Sequence, residues 1–219
     1  MESHYILSPA IDLDLCGYER SLEIQRKFVD LVKAERIQKA LIFVTHPPVY
    51  TIGRKADPRN YPGLEPVATE RGGDITYHGP GQIVVYPIIR IGTDRADVRK
   101  FVNTLQETVE TVISLHGYIT ARDAEPGIWI VSETGKRKVG SIGLALDHYV
   151  SYHGIAINLS EEVLEGFSRI RPCGLEPDVM GFVRIGRDMI KNDLIREFSR
   201  RFGDFNETDI NATPLGYLI

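Results

Sequence analysis

Two apolar rhythms alternate along this chain, and the irregular order in which they do so restricts the fold more than any other feature. Residues 40–45 (Ala-Leu-Ile-Phe-Val-Thr) form a short apolar run that stops at His46-Pro47-Pro48, which predicts a buried strand. Residues 82–91 form a second run, rich in Val and Ile. Pro87 within it predicts a sheet edge or a bulge, because proline has no N–H to give to a ladder. Other segments have helical spacing. Tyr18, Leu22, Gln25, Val29 and Val32 fall four and three apart over 18–36. Val98, Phe101, Val102, Leu105, Val109, Val112 and Ile113 make one stripe over 95–116. A last helix is predicted over 188–202, with Leu194, Ile195, Phe198 and Phe202 on one face. Three more strands are predicted at 127–131, 138–146 and 149–157. Glu133–Lys136 has the composition of a turn between the first two, and the last two are close enough to form an antiparallel hairpin. Strict βαβ order is absent, so the expected class is α+β, a mixed β-sheet flanked by helices, and not a doubly wound parallel fold. No repeat or low-complexity linker divides the chain, and 1–219 is read as a single domain with a less regular tail after Gly203.

Composition narrows the function classes. With 42% hydrophobic residues the chain can bury a sizeable core. A net charge of -4 does not favour nucleic acid or an anionic membrane surface as a partner. No stretch approaches the roughly 20 apolar residues of a membrane span. The start, Met1-Glu2-Ser3-His4, lacks a basic segment followed by an apolar run, so no signal peptide is read there and a cytoplasmic location is the default. Cys16 and Cys173 are too few for a disulfide framework. The histidines are scattered and the cysteines distant, so no metal-ligand spacing is present.

Four segments could carry chemistry. Arg71–Gln82 places four glycines and a proline around Arg71, Tyr77 and His78, a backbone that bends and lets something approach closely, or a common glycine-rich turn before a strand. Lys136-Arg137-Lys138-Val139-Gly140-Ser141-Ile142-Gly143 is not a P-loop, since Ile130 stands where the first glycine is required and Arg137 follows the lysine. It reads as a solvated basic turn entering a strand, on which alternation puts Lys138 and Gly140 on one face and Val139 on the other. His153 sits in an apolar strand and by itself reads as a satisfied structural residue. Cys173, between Pro172 and Gly174, belongs to a constrained turn. Arg169 and Arg171 nearby would favour its thiolate, whereas a buried inert thiol is the commoner state of a lone cysteine. Cys16 fits that inert state, with Asp12, Asp14 and Glu19 close by to raise its pKa.

Taken together, in this order, the segments resemble the octanoyltransferase (lipoate biosynthesis protein B) family. The matching stretches are RGGxxTYHGPGQ at 71–82, the lysine motif from Lys138 to Gly143, HGxAxN at 153–158 and the PCG loop at 172–174. His46–Gly53 and Glu125–Trp129 match as well, so the resemblance runs from about residue 40 to 175. It implies the fold of the biotin and lipoate ligase catalytic domain. It also implies Cys173 as acyl-thioester nucleophile, and Lys138 as the group that lowers its pKa and shuttles the proton. The acyl and thioester pocket would be lined by Arg71, Gly72, Gly73, Asp74, Ile75, Thr76, Tyr77 and His78, by Ser141, Ile142 and Gly143, and by His153, Gly154 and Ile155. Ile75, Ile142 and Leu144 could bound an alkyl tunnel, and the N–H groups near Gly143 and Gly174 could form an oxyanion hole. The implied donor is octanoyl-acyl carrier protein, and the implied acceptor is a lipoyl domain of a 2-oxoacid dehydrogenase or the glycine cleavage H protein. No cofactor, ATP or metal is implied. Lys136, Arg137, Arg169 and Arg171 could form a basic landing patch for the acidic carrier. One departure stands out: after PCG the family usually has Thr-Ser-Leu, where this chain has Val179-Met180-Gly181-Phe182-Val183. Two rivals remain, an ATP-dependent lipoate or biotin ligase and a non-catalytic module that only holds carrier domains.

Overall fold

The computed structural model of the protein describes residues 7–209; Met1–His4 and the end of the tail lie outside them. In chain order the elements are β1 (Pro9–Leu15), α1 (Tyr18–Lys33), β2 (Lys39–Thr45), β3 (Val49–Ile52), β4 (Val67–Ala68), β5 (Ile75–His78) and β6 (Gln82–Ile89). They continue with α2 (Arg95–Leu115), β7 (Thr120–Ala121), β8 (Ile128–Ser132), β9 (Gly135–Asp147), β10 (Val150–Asn158), α3 (Val163–Phe167), α4 (Arg187–Phe202) and β11 (Asn206–Glu207). Eight strands make one sheet in the order β11-β1-β2-β6-β10-β9-β8-β7. The pairs β11–β1 and β1–β2 are parallel and the others antiparallel, so the sheet is mixed, as the interleaved patterns predict. A small second sheet, β4-β3-β5, stands apart from it.

Burial explains the continuous apolar runs. Strand β2 sends Leu41 and Phe43 to one face and Ala40, Ile42 and Val44 to the other, and all five are buried. On the first face α2 and α4 add Leu105, Val109, Leu194 and Phe198. On the second face α1 adds Ile24, Phe28, Val29 and Val32. A strand covered on both faces needs no polar alternation. A satellite core of Ile75, Tyr77, Val163, Phe167, Ile170 and Met180 joins the small sheet to α3.

Pro87 corrects an expectation. It lies in β6, which is central and paired on both sides, and not at an edge. No residue is inserted there either: Ile155↔Val85 and the isolated bridge Val150↔Arg90 keep one register. Instead the ladder is interrupted between them, where the missing proline N–H would have fallen. Ser151 Oγ spans the gap, donating to the Pro87 carbonyl at 2.6 Å and accepting from the Ile89 N–H at 3.1 Å. Gly154 completes the accommodation, because a Cβ there would meet the Val85 carbonyl and the Pro87 ring. The neighbouring His153 takes φ +56°, and its N–H turns away to the Gln25 side chain at 2.8 Å. Strand alternation also fails in β9. Ile128 pairs Gly140 and Trp129 pairs Lys138, so Val139 is the extra residue of a bulge. The β9–β10 hairpin closes on His148 and Tyr149, both at positive φ, the geometry that suits the strand twist in a two-residue turn.

Candidate active site

The interruption in β10, the bulge in β9 and the loops before β5 and after α3 surround one cavity of about 890 Å³. Lys138 and Cys173 both line it. So do Arg71 to Thr76, His78, Ser141 to Gly143 and His153 to Ile155. Of the fourteen positions expected around the pocket, Tyr77 alone is not brought there. Its ring belongs to the satellite core, edge-on to Phe167 at 5.8 Å, because β5 turns Thr76 and His78 toward the cavity and Tyr77 away from it. Ile75, Ile142 and Leu144 line the cavity, and so do Val98 and Val102 of the α2 stripe. Helix periodicity found those two valines but could not tell cavity wall from core. Tyr18 and Tyr86 also line it and were not singled out; no local pattern distinguishes them from core aromatics.

Cys173 occupies a single helical turn, Pro172–Gly174, with φ +56° and ψ 28°. A left-handed conformation costs a non-glycine residue about 1–2 kcal/mol. The turn is closed by hydrogen bonds from the Gly174 N–H to the Arg171 carbonyl at 2.9 Å and from the Leu175 N–H to the Pro172 carbonyl at 3.1 Å. The thiol is exposed at the cavity mouth. The Gly174 N–H is therefore taken, which removes it from the expected oxyanion hole. Neither arginine stands free beside the thiol: Arg171 faces Glu176 at 3.4 Å and Arg169 lies over the Tyr50 ring at 5.9 Å. The expected basic patch is similarly engaged, with Lys136 paired to Asp123 at 3.0 Å and Arg137 donating to the Thr134 hydroxyl at 2.8 Å.

Lys138 is 3% exposed. Its ammonium lies 5.8 Å from the Trp129 ring centre. Burial pushes its pKa down, against the opposing pull of Cys173, Glu125 and Asp123. The segment that replaces Thr-Ser-Leu holds this lysine in place. Met180 bridges to Lys138, the Gly181 N–H donates to the Lys138 carbonyl at 2.9 Å, and Asn158 Nδ2 donates to the Gly181 carbonyl at 2.8 Å. Its backbone does the supporting, so apolar side chains suffice there.

Deeper in, the cavity meets a buried polar cluster. Arg71 donates to the Thr51 carbonyl at 2.7 Å and to the Gly72 carbonyl at 3.0 Å, all neutral acceptors. His46 bridges the Cys16 carbonyl and the Tyr86 hydroxyl, each at 2.7 Å. The rings of Tyr18, His46 and His78 lie within 5.3–6.0 Å of one another. Burial holds His46 and His153 down at about 4, sends His78 well below its usual value and pushes Tyr18 up to about 12. All are neutral at pH 7. His153, read from sequence as a satisfied histidine, has Nδ1 3.3 Å from the Tyr18 hydroxyl, while its Nε2 and the Thr76 hydroxyl are buried without a hydrogen-bond partner. Among the described residues no group of His, Cys, Asp or Glu has the arrangement to hold a metal.

The fold is thus a mixed sheet with helices on both faces, opening on a cavity that holds an exposed cysteine and a buried lysine. A family model of the lipoyl protein ligase A/B catalytic domain matches residues 17–202, and the chain belongs to that family. It is 41% identical over 220 residues to the octanoyltransferase of Desulfotalea psychrophila, covering 93% of this chain and 97% of the relative. It is 40% identical over 176 residues to the octanoyltransferase of Alkaliphilus metalliredigens, covering 75% and 78%. Among solved structures, a lipoate-protein ligase A bound with ATP superposes with a TM-score of 0.71 at 18% identity, covering 97% of this chain and 92% of that one. A putative lipoate protein ligase of Thermoplasma acidophilum with bound lipoic acid gives 0.70 at 17%, with the same coverage. At such identity these two speak to the fold alone.

Proposed function

We propose that this protein is an octanoyltransferase of lipoate biosynthesis, which takes an octanoyl group from octanoyl-acyl carrier protein onto Cys173 and passes it to a lysine of a lipoyl domain in the cytoplasm. The observation that carries the reading is the meeting of an exposed cysteine and a buried lysine at one cavity walled partly by Val98, Val102, Ile142 and Leu144. In the first step the Cys173 thiolate attacks the thioester carbonyl, the donor's C–S bond breaks, and the carrier sulfur leaves as a thiol with the proton of the Lys138 ammonium, which leaves Lys138 neutral. In the second, the acceptor amine forms the C–N bond, Cys173 leaves as thiolate, and Lys138 in its neutral form takes the amine proton. Burial favours that neutral form. Thioester to thioester is nearly balanced, and thioester to amide runs downhill, so no ATP enters.

Intact mass after mixing with octanoyl-acyl carrier protein, without ATP, tests this. A gain of one octanoyl group, abolished in Cys173→Ala and discharged by a lipoyl domain, is the expected result. Acylation of the lipoyl domain only when free acid and ATP are supplied would replace the reading with the ligase reaction, the activity of the solved structures that share the fold. Failure of both would leave a module that only binds carriers.

A further inference from the structure

The acceptor in the proposed reaction is a primary amine that arrives as an ammonium, since a free lysine has a pKa of about 10.4. It must approach a cavity lined by Lys55, Arg59 and Arg171, with Lys138 buried in its wall. Something anionic has to offset that repulsion. The cavity has three carboxylates on its wall, Asp57, Asp74 and Glu125. Asp57 is engaged by Arg59, through Nη2 at 2.5 Å and Nε at 3.0 Å. Asp74 accepts from the Asn60 side chain and from the Asp57 N–H. The Glu125 carboxylate makes no hydrogen bond and no ion pair among the described residues.

Its placement is built. Trp129 Nε1 donates to the Glu125 carbonyl at 2.9 Å, and Gln106 Nε2 donates to the Gly127 carbonyl at 3.0 Å, which ties the turn to β8 and α2. Gly127 adopts φ +151°, and a Cβ there would stand 2.5 Å from Lys138 Cε and 2.8 Å from the Gly140 carbonyl. Only glycine lets this turn lie directly on the lysine. Glu125 is half-buried between the exposed Ala124 and Pro126 and lines the cavity that holds Lys138 and Cys173, and its charge acts on Lys138.

We infer that Glu125 is the binding site for the acceptor's ammonium group, a subsite for a protonated primary amine at the mouth beside Cys173. This deepens the transferase reading and rests on it. The carboxylate captures the ammonium at the mouth; the ammonium loses one proton to solvent, and the free amine then attacks the acyl group while neutral Lys138 takes the second proton and Cys173 leaves as thiolate. Glu125 is a binding residue for the second substrate, and the donor, which brings no ammonium to this point, does not use it.

The test is steady-state transfer from octanoyl-acyl carrier protein to a lipoyl domain, for wild type, Glu125→Gln, Glu125→Asp and Glu125→Lys. The expected result is a rise in the acceptor KM of about tenfold in Glu125→Gln and more in Glu125→Lys. Glu125→Asp recovers part of it, and kcat at saturating acceptor and the donor KM change far less. An acceptor KM equal to wild type in Glu125→Gln overturns the inference. So does a shift in the pH profile of Cys173 acylation with the acceptor KM unmoved, which would make Glu125 a positioning residue for Lys138. A wild-type protein that takes no octanoyl group overturns the transferase reading itself, and an active wild type with unaltered variants overturns the amine subsite alone.

Discussion

The junction at Cys16 and the turn at Cys173 hold the two thiols of this chain in opposite settings. Cys16 bridges β1 and α1. Its N–H donates to the Thr45 carbonyl at 3.0 Å, its carbonyl accepts from His46 at 2.7 Å, and its thiol rests 3.6 Å from the Gly17 carbonyl. Burial pushes that thiol's pKa up, with Arg20 pulling weakly the other way. The acidic neighbours expected to raise it are not the cause: Asp12 is spent on Arg187 at 2.7 Å and on Lys191 at 3.1 Å. Cys173 has an exposed thiol, a left-handed backbone and a buried lysine sharing its cavity. One cysteine stitches two elements together, while the other is held in an unfavourable conformation so that its sulfur faces a cavity. A left-handed non-glycine residue that carries an exposed thiol at a cavity is the kind of outlier from which a functional role is inferred.

Substitution of the two thiols should separate them most. Cys173→Ala is expected to lower acyl transfer on the order of 10³-fold or more, while Cys16→Ala stays within about twofold, measured as octanoyl transfer to a lipoyl domain. Comparable losses at both would break the comparison. Next in size is Lys138→Met, which should cost roughly 10²–10⁴-fold in transfer. The same variant should melt at or above the wild-type temperature, since burying an ammonium is unfavourable. A large drop in Tm would make Lys138 a structural residue first.

Acid separates the regions differently. His46 supports the Cys16 side, and its pKa falls from 6.5 to about 4 on folding because burial disfavours the cation. The unfolded chain therefore binds the proton first. Stability is expected to be full above pH 6.5, to decline as pH falls toward 4, and to lose roughly 3 kcal/mol through His46 alone. Denaturant midpoints between pH 7 and 4 check this, and His46→Gln should flatten the decline without abolishing it, because His153 and His78 are shifted the same way. The smallest effect is conformational and has opposite signs at the two sites. Cys173→Gly should be more stable than Cys173→Ala by about 1 kcal/mol, since glycine tolerates φ +56°. Cys16→Gly should be less stable than Cys16→Ala by about 0.5–1 kcal/mol, since φ there is ordinary and glycine adds only unfolded-state entropy. Equal signs would mean that the Cys173 turn carries no strain.

Much of the architecture was legible in residue patterns. Apolar periodicity located α1, α2 and α4 and the buried strands β2 and β6, because those patterns are short-range responses to burial on one face or two. Pro87 misled, since its missing N–H is absorbed by Ser151 and Gly154 from another strand, and no local pattern reveals a partner more than sixty residues away. Tyr77 misled for a related reason. The motif around it is contiguous, but a strand has two faces and the satellite core took one. Val139 shows the limit of alternation, which a bulge resets.

The chemistry-bearing residue types, their order and the mixed class of sheet were thus determined by the sequence alone. They follow from side-chain chemistry and from periodicities of two and about 3.6 that each segment expresses by itself. Which face of β5 meets the cavity, how deeply Lys138 is buried, which arginines are already paired and that Glu125 is not, were decided only by the tertiary structure. Exposure, pairing and pKa depend on what distant segments bring into contact, and a linear pattern does not record the dielectric around a charge.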